Sequence, residues 1–300
     1  MSTITIRLVE SLEDVEHFRV LEHLIWETPP NASIPAHVIV TTIHNGGGLL
    51  AAFAADGPPE TGGMVGITYW WPGLGTPTTG PAPGGEPGGA LRLKMCSHMA
   101  GVLPPWRSRG LGLRLKLAQR DVILQQGATD WVTWTYDPLI RTNAAFNLHR
   151  LGAVCNTYHV NRYGMMSDGI NAGTPSDRCQ VDWWLESARV TARAHDSTPG
   201  GARERTLPLT AHDGVLTARR LPQGLLAPPD ELPSLASPSL ALPLPDDIYA
   251  IRAADHELGI AWRLWQRAAL SAAFAAGYLL TDCAICADSQ WRYLLTCAAP

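Results

Sequence analysis

Two arginines and two glycines fall within six residues, Arg107-Ser108-Arg109-Gly110-Leu111-Gly112. That grouping suits an anion. Glycine has no Cβ, so the backbone can turn its N–H groups toward a ligand and approach it closely. A helix is predicted over 109–126. Its first turn adds unpaired N–H donors and the positive end of a dipole. Just before it, a strand is predicted over 91–103, with Val102 near its end. A pyrophosphate fits this junction, held by Val102, Arg107, Ser108, Arg109, Gly110, Leu111 and Gly112. A Rossmann site would read G-x-G-x-x-G. Here the third glycine is missing and an arginine comes first.

The second residue that could do chemistry is His98. Strand alternation puts Cys96, His98 and Ala100 on one face. Among them His98 is the good proton acceptor near neutral pH. A lone histidine in an apolar strand is more often a hydrogen-bonded core residue, and both readings stand at this point. Tyr136, His149, Tyr158 and Tyr163 are the candidate proton donors, with His149 expected to lean toward solvent. Tyr163 opens a long, polar, glycine-bearing segment over 161–173, of a kind that often forms acceptor pockets. The same segment packed on its own side chains is the competing reading. Cys283-Ala-Ile-Cys286 stands alone on a predicted strand, where residues i and i+3 face opposite ways. It reads as buried thiols rather than a zinc or redox pair. His256-Glu257 is not HExxH, and no metal site is expected.

These residues need elements to place them. Alternation predicts a strand over 3–9. Ser11 and Asp14 form a capping-box start, and Val15, Phe18, Leu21, Leu24 and Ile25 supply a helical stripe ended by Pro29-Pro30. A short helix over 34–44 and an antiparallel pair, 48–54 with 63–71, follow. A Gly/Pro-rich loop is predicted over 73–89. After helix 109–126, stopped by Gly127, come a strand over 131–134, a helix over 142–151 closed by Gly152, and strands over 153–160 and 179–186. Composition then shifts to Pro, Ala, Arg and Leu, with short strands at 214–218 and 239–244. Asp246-Asp247 caps one long helix predicted to reach Ala276, and a hairpin of 278–286 with 291–297 ends the chain. The division read from this is a first domain over 1–190, a Pro-rich connection over 191–245, and a smaller α+β unit over 246–300 docked on the first, its helix burying Trp262 and Trp265.

The Arg107–Gly112 segment resembles the acyl-CoA-binding motif of the GCN5-related N-acetyltransferase superfamily, R/Q-x-x-G-x-G/A after a long strand. Arg107, Gly110 and Gly112 match it position by position. The superfamily's Asn-x-x-Ala-x-x-Leu-Tyr-x-x-x-Gly-Phe signature is echoed by residues 141–153. Counted back from Gly152, Ala144 falls on the Ala. Leu148 falls on the Tyr, which in many members protonates the departing thiolate. Arg141 falls on the Asn, and Asn143 lies two residues later. Ser97-His98-Met99, Asp137-Pro138-Leu139, Asn143-Ala144 with Phe146-Asn147-Leu148, Tyr163-Gly164, Asp168–Asn171, Asp177-Arg178 and the tail over 248–278 are similar to a branch of longer proteins in that superfamily, some linked to amino-acid N-acylation.

The resemblance implies an α/β (α+β) acyl-CoA N-acyltransferase fold, a mixed, mostly antiparallel sheet flanked by helices. Its strands over 91–103 and 131–134 would run parallel and splay apart. Acetyl-CoA or another acyl-CoA would enter that V. A short acyl group would pass directly to a small amine or amino acid, with His98 and Tyr163 as catalytic residues and Asn143 orienting the cosubstrate. The alternative is a non-catalytic acyl-CoA-binding protein that keeps the fold, which Leu148 favours.

Composition narrows the classes further. The formal charge is −4 over 300 residues, and nearly all the basic charge is arginine, with Lys94 and Lys116 the two lysines. That argues against nucleic acid or an anionic membrane as main partner. Arg-rich 202–205 and Arg219-Arg220 read as solvated loop charges. The longest apolar run, 268–280, is interrupted by Ser271 and too short for a membrane span, which needs ~18 or more residues. No signal-peptide plan opens the chain. A cytoplasmic protein is expected, with a homodimer left open.

Overall fold

Ile4 and Ile6 alternate with Thr5 and Arg7, and this strand, β1 (Ile4–Leu8), pairs antiparallel with β2 (Gly48–Ala54). The computed structural model describes residues 3–27, 33–79, 90–164, 174–195 and 213–297. Two helices link β1 to β2, α1 (Leu12–Trp26) and α2 (Ala36–His44). Ser11 Oγ accepts the Asp14 N–H at 3.1 Å, the cap expected of this sequence. Then come β3 (Met64–Gly75), β4 (Arg92–Val102), α3 (Leu111–Gln126) and β5 (Trp131–Tyr136). Helix α4 (Arg141–Ala144) runs on as a π-helical stretch, Ala145–Arg150, before β6 (Val154–His159), β7 (Arg178–Trp184) and α5 (Ala188–His195).

The rest comprises β8 (Gly214–Val215), β9 (Arg219–Arg220), β10 (Leu226–Ala227), β11 (Ser239–Leu244), α6 (Ile248–Ala254), α7 (His256–Ala275), β12 (Tyr278–Ile285) and β13 (Trp291–Cys297). Among the described residues, eleven strands form one mixed sheet in the order β1-β2-β3-β4-β5-β7-β6-β12-β13-β11-β8, and β9 pairs with β10 in a separate ladder. All neighbours are antiparallel except β4 with β5 and β11 with β8. The class is therefore the expected one, a mostly antiparallel sheet flanked by helices.

Several expectations need correction. Strand β3 runs on to Gly75, paired with Arg92, so residues 73–75 belong to the sheet rather than the loop. Most of that loop, residues 168–171 and residues 202–205 lie outside the described residues. The single long C-terminal helix is two. Asp247 caps α6, and Asp255 has extended backbone and caps α7 by accepting the Leu258 N–H at 2.9 Å. The helix of 142–151 widens into π geometry, with the Leu151 N–H reaching the Phe146 carbonyl at 3.0 Å.

The C-terminal strands continue the sheet of the first 190 residues. Leu280 of β12 pairs with Cys155 of β6. Helix α7 is tied to the earlier elements by buried charge. Arg263 donates to both carboxylate oxygens of Asp137, at 2.9 and 2.6 Å, and the two side chains are 1% and 5% exposed. Arg267 does the same to Asp177, at 2.8 and 2.9 Å. Trp262 and Trp265 are buried and donate to the Leu226 and Glu231 carbonyls. Cys283 and Cys286 are buried free thiols. Among the described residues, no helix is long and apolar enough to cross a membrane.

Candidate active site

Strands β4 and β5 are parallel neighbours for only two registered pairs, Met95 with Val132 and Cys96 with Thr133. Beyond them β4 continues to Val102 and β5 to Tyr136 with no pairing between them. The two strands part there, and a cavity of about 340 Å³ opens in the gap. Its walls are Ser97 to Ala100 from β4, Trp134 to Tyr136 from β5, Asn143, Phe146 and Asn147 from α4 and its extension, Lys116 from α3, and Trp26 from α1.

At the mouth of the gap lies a second cavity of about 310 Å³, lined by Val102, Arg107, Ser108, Gly110, Leu111, Gly112, Leu113 and Arg150, among others. Ser108 and Gly110 both have left-handed backbone, φ 61° and 73°. The turn they make delivers α3 with its first N–H groups toward this cavity. Among the described residues, no side chain caps the helix. The first intrahelical bond comes from Arg114 to the Gly110 carbonyl, so the amides of Leu111, Gly112 and Leu113 have no intrahelical acceptor. A Cβ at Gly110 would meet nothing within 4 Å, so the space before the helix is open. Arg107 lines the cavity with its Nε donating to the Val102 carbonyl at 2.9 Å.

Most of the expected anion contacts thus meet in one place. Arg109 is the exception. It is absent from the lining, and its guanidinium lies 5.0 Å from the Trp106 ring centroid. Arg150 was not foreseen. It sits at the end of the π-helical stretch, a basic last turn that the sequence displays but that only the turn's path brings to the cradle.

His98 is the extra residue of a β-bulge. Tyr69 pairs with Met99 and Trp70 with Ser97, leaving His98 opposite neither. The bulge breaks simple alternation. His98 stays on the face of Cys96, whose partner is Trp71, but Ala100 is now paired with Thr68 on the opposite face. The His98 ring lies 4.7 Å from that of Trp71 and 6.4 Å from that of Tyr69. His98 is an exposed residue, yet partial loss of water beside these rings pushes its pKa below the usual 6.5. His98 borders the gap cavity and also a third cavity of about 340 Å³, walled by Ile34, Val38, Tyr69, Trp71 and Pro72 with Thr41, Thr42 and Asn45.

The candidate proton donors are scattered. Tyr158 donates to Asp177 at 2.8 Å, and burial and that carboxylate push its pKa up. Tyr136 borders the gap, but burial and then Tyr293 and Cys179 push its pKa well up. His149 does not lean to solvent. Its Nδ1 lies 2.9 Å from an Asp282 oxygen because β12 packs on this helix. Tyr163 shares a 2.8 Å hydrogen bond with Thr135, itself part of the gap wall, but does not line the gap. Leu148 is wholly buried, and Asn143 and Asn147 face the cleft instead. Counting back from Gly152 assumes α-helical spacing, which the π-helical stretch alters.

Lys116 was missed altogether. It is 3% exposed, donates to Ser97 Oγ at 3.1 Å and Gln119 Oε1 at 2.5 Å, and lies 3.9 Å from the Trp134 ring centroid. Burial pushes its pKa down to about 7.

No protein-family profile and no curated protein matches the sequence. Solved structures do. Residues amounting to 62% of this chain align with 96% of the ribosomal-protein-S18-alanine N-acetyltransferase from Escherichia coli, at 13% identity and a TM-score of 0.43. An Arabidopsis thaliana NAA60 in complex with acetyl-CoA aligns over 61% of this chain and 99% of its own, at 13% identity and 0.44. An acetyltransferase of the GNAT family from Streptococcus pneumoniae aligns over 60% and 98%, at 13% identity and 0.42.

Proposed function

We propose that this chain is an acyl-CoA-dependent N-acyltransferase of the cytoplasm, moving an acetyl or other short acyl group directly to a small amine or amino acid. The observation that carries this reading is the gap between β4 and β5, with a cradle of helix-start amides lacking an intrahelical acceptor at its mouth and a separate pocket beyond His98. Three spaces in series suit a pyrophosphate, a thioester and an acceptor.

The roles follow from position. The amides of Leu111 to Leu113, with Arg107 and Arg150, hold the pyrophosphate. The free edge of β4 beyond Cys96 pairs with the pantetheine arm. A backbone N–H of β4 between Met99 and Val102 polarises the thioester oxygen. Asn143 orients the cosubstrate from α4. An amine attacks only when neutral, and free alkyl amines have pKa values of ~10, so a base is required. His98 supplies it, unprotonated at neutral pH because its pKa is depressed. The acceptor pocket is walled largely by apolar and aromatic side chains, with no carboxylate in its lining among the described residues. It fits an amine carrying an apolar body.

The position of His98 on both cavities supports catalysis over mere acyl-CoA binding, the reading Leu148 favours. A thiol-release assay with acetyl-, succinyl- and other acyl-CoAs against a panel of amines and amino acids tests the proposal. The expected result is thiol release that depends on an amine. Tight acyl-CoA binding with no release for any amine would favour the binding protein.

A further inference from the structure

We propose that Lys116 is the general acid of the reaction, its ammonium donating a proton to the thiolate that leaves the acyl group. The proposal rests on the acyl-CoA reading above and fills the place that Leu148 leaves empty.

Three observations carry it. First, Lys116 reaches the gap from α3, the element packed on the face opposite α1 and α2, while His98 borders the same gap from the α1 and α2 face. Base and acid thus flank one cleft from its two sides. Second, among the described residues the surroundings of Nζ accept hydrogen bonds but supply no charge. Ser97 from β4 and Gln119 from α3 take two of its N–H groups, and the rings of Trp134 from β5 and Trp183 from β7 lie 3.9 and 5.1 Å away. Burial alone accounts for its lowered pKa, with no carboxylate or cation contributing. Among the described residues, the titratable groups that share its cavity are His98 and Tyr136. Third, a buried cation without a counter-ion opposes folding. A lysine poised near neutrality both carries a proton and releases it.

The step balances. The amine nitrogen bonds to the carbonyl carbon and passes one proton to His98. The C–S bond breaks with its electron pair on sulfur, and an N–H proton of Lys116 moves to that sulfur. The products are an amide and a free thiol. His98 is left with one proton more and Lys116 with one fewer, and exchange through water resets both.

The test uses the full chain and Lys116→Met, which keeps length and removes the ammonium. With acetyl-CoA, kcat should fall ~100-fold or more, while acetyl-CoA affinity by calorimetry stays within a few-fold. With the acetyl thioester of thionitrobenzoate, whose leaving group needs no proton, the deficit should shrink to a few-fold. A readout independent of turnover comes from 15N-lysine NMR. The chain has two lysines, the variant identifies the Lys116 signal, and that signal should titrate near 7. A variant with wild-type kcat, an equal loss with both donors, or a Lys116 titration in the ordinary range above 10 would each overturn the proposal. Should the variant not fold, the wild-type protein decides. The high-pH fall in kcat/KM must appear with acetyl-CoA and vanish with the activated thioester. Absence of acetyl-CoA binding to the wild type would bring down the acyl-CoA reading, and Lys116 with it. Normal turnover by Lys116→Met would remove Lys116 alone.

Discussion

His98 and Lys116 both titrate below their ordinary ranges because both have lost water. The base is active when neutral, so kcat/KM should rise with pH through the His98 pKa, below 6.5. The acid is active when charged, so kcat/KM should fall above about 7. A narrow bell is expected. His98→Ala should remove the rising limb and cost ~100- to 10,000-fold in kcat, with acetyl-CoA affinity nearly unchanged. A folded variant with wild-type turnover would withdraw the assignment. Stability gives Lys116 a second test. Its folded pKa is about 7 against 10.5 for a free lysine, so between those values the unfolded chain binds more protons. Stability must therefore rise with pH across that window, and the burial penalty is complete below it. Lys116→Met should raise stability by ~1–4 kcal/mol at pH 6 and by less at pH 10 in urea unfolding. Destabilisation at pH 6 would contradict this. His98 was legible in the sequence because it is the one good base on its strand. Lys116 was not, since a lysine on a helix ordinarily faces water. In hindsight Gly112, Lys116, Gln119 and Ile123 form a second stripe on α3, and the residues from Lys116 onward in it are buried. A residue type used twice in 300 positions, set in such a stripe, was the available signal.

At the scale of elements, the helices and strands flanking the site were readable because their caps and periodicities are local. Ser11, Gly127 and the apolar alternation act within a few residues of themselves. What escaped was non-local or irregular. The bulge at His98 is visible only in the register of β3 against β4. The one long helix predicted to Ala276 breaks at Asp255, whose side chain starts a new helix. Asp137 and Asp177 were visible only as part of a resemblance. The fold makes them the anchors of α7. Arg263→Met leaves Asp137 buried with Arg178 3.8 Å away as a distant partner. A loss of about 3–5 kcal/mol is expected by urea unfolding, and replacing both partners by apolar residues should recover much of it. A single substitution costing under about 1 kcal/mol would mean the pair does not hold the helix.

The molecule as a whole is built around one sheet, and its α+β character was legible from the order of patterns along the chain. The joining of β12 to β6 was not, since one registered pair leaves no mark in the sequence. We propose that the residues beyond about 190 act as a docked unit on the first domain, held by Asp137–Arg263 and Asp177–Arg267. Limited proteolysis should then fail to release a stable fragment of residues 1–190 with unchanged acetyl-CoA binding, and release of one would refute the docking. The central claim is that acyl-CoA enters at the cradle before α3. Gly110→Asp tests it most directly. Aspartate tolerates left-handed backbone, and the space around Gly110 is open. The fold should survive while a negative charge occupies the anion site. Calorimetric titration with acetyl-CoA should show affinity about tenfold weaker or worse than wild type. Equal affinity in the folded variant would contradict the account.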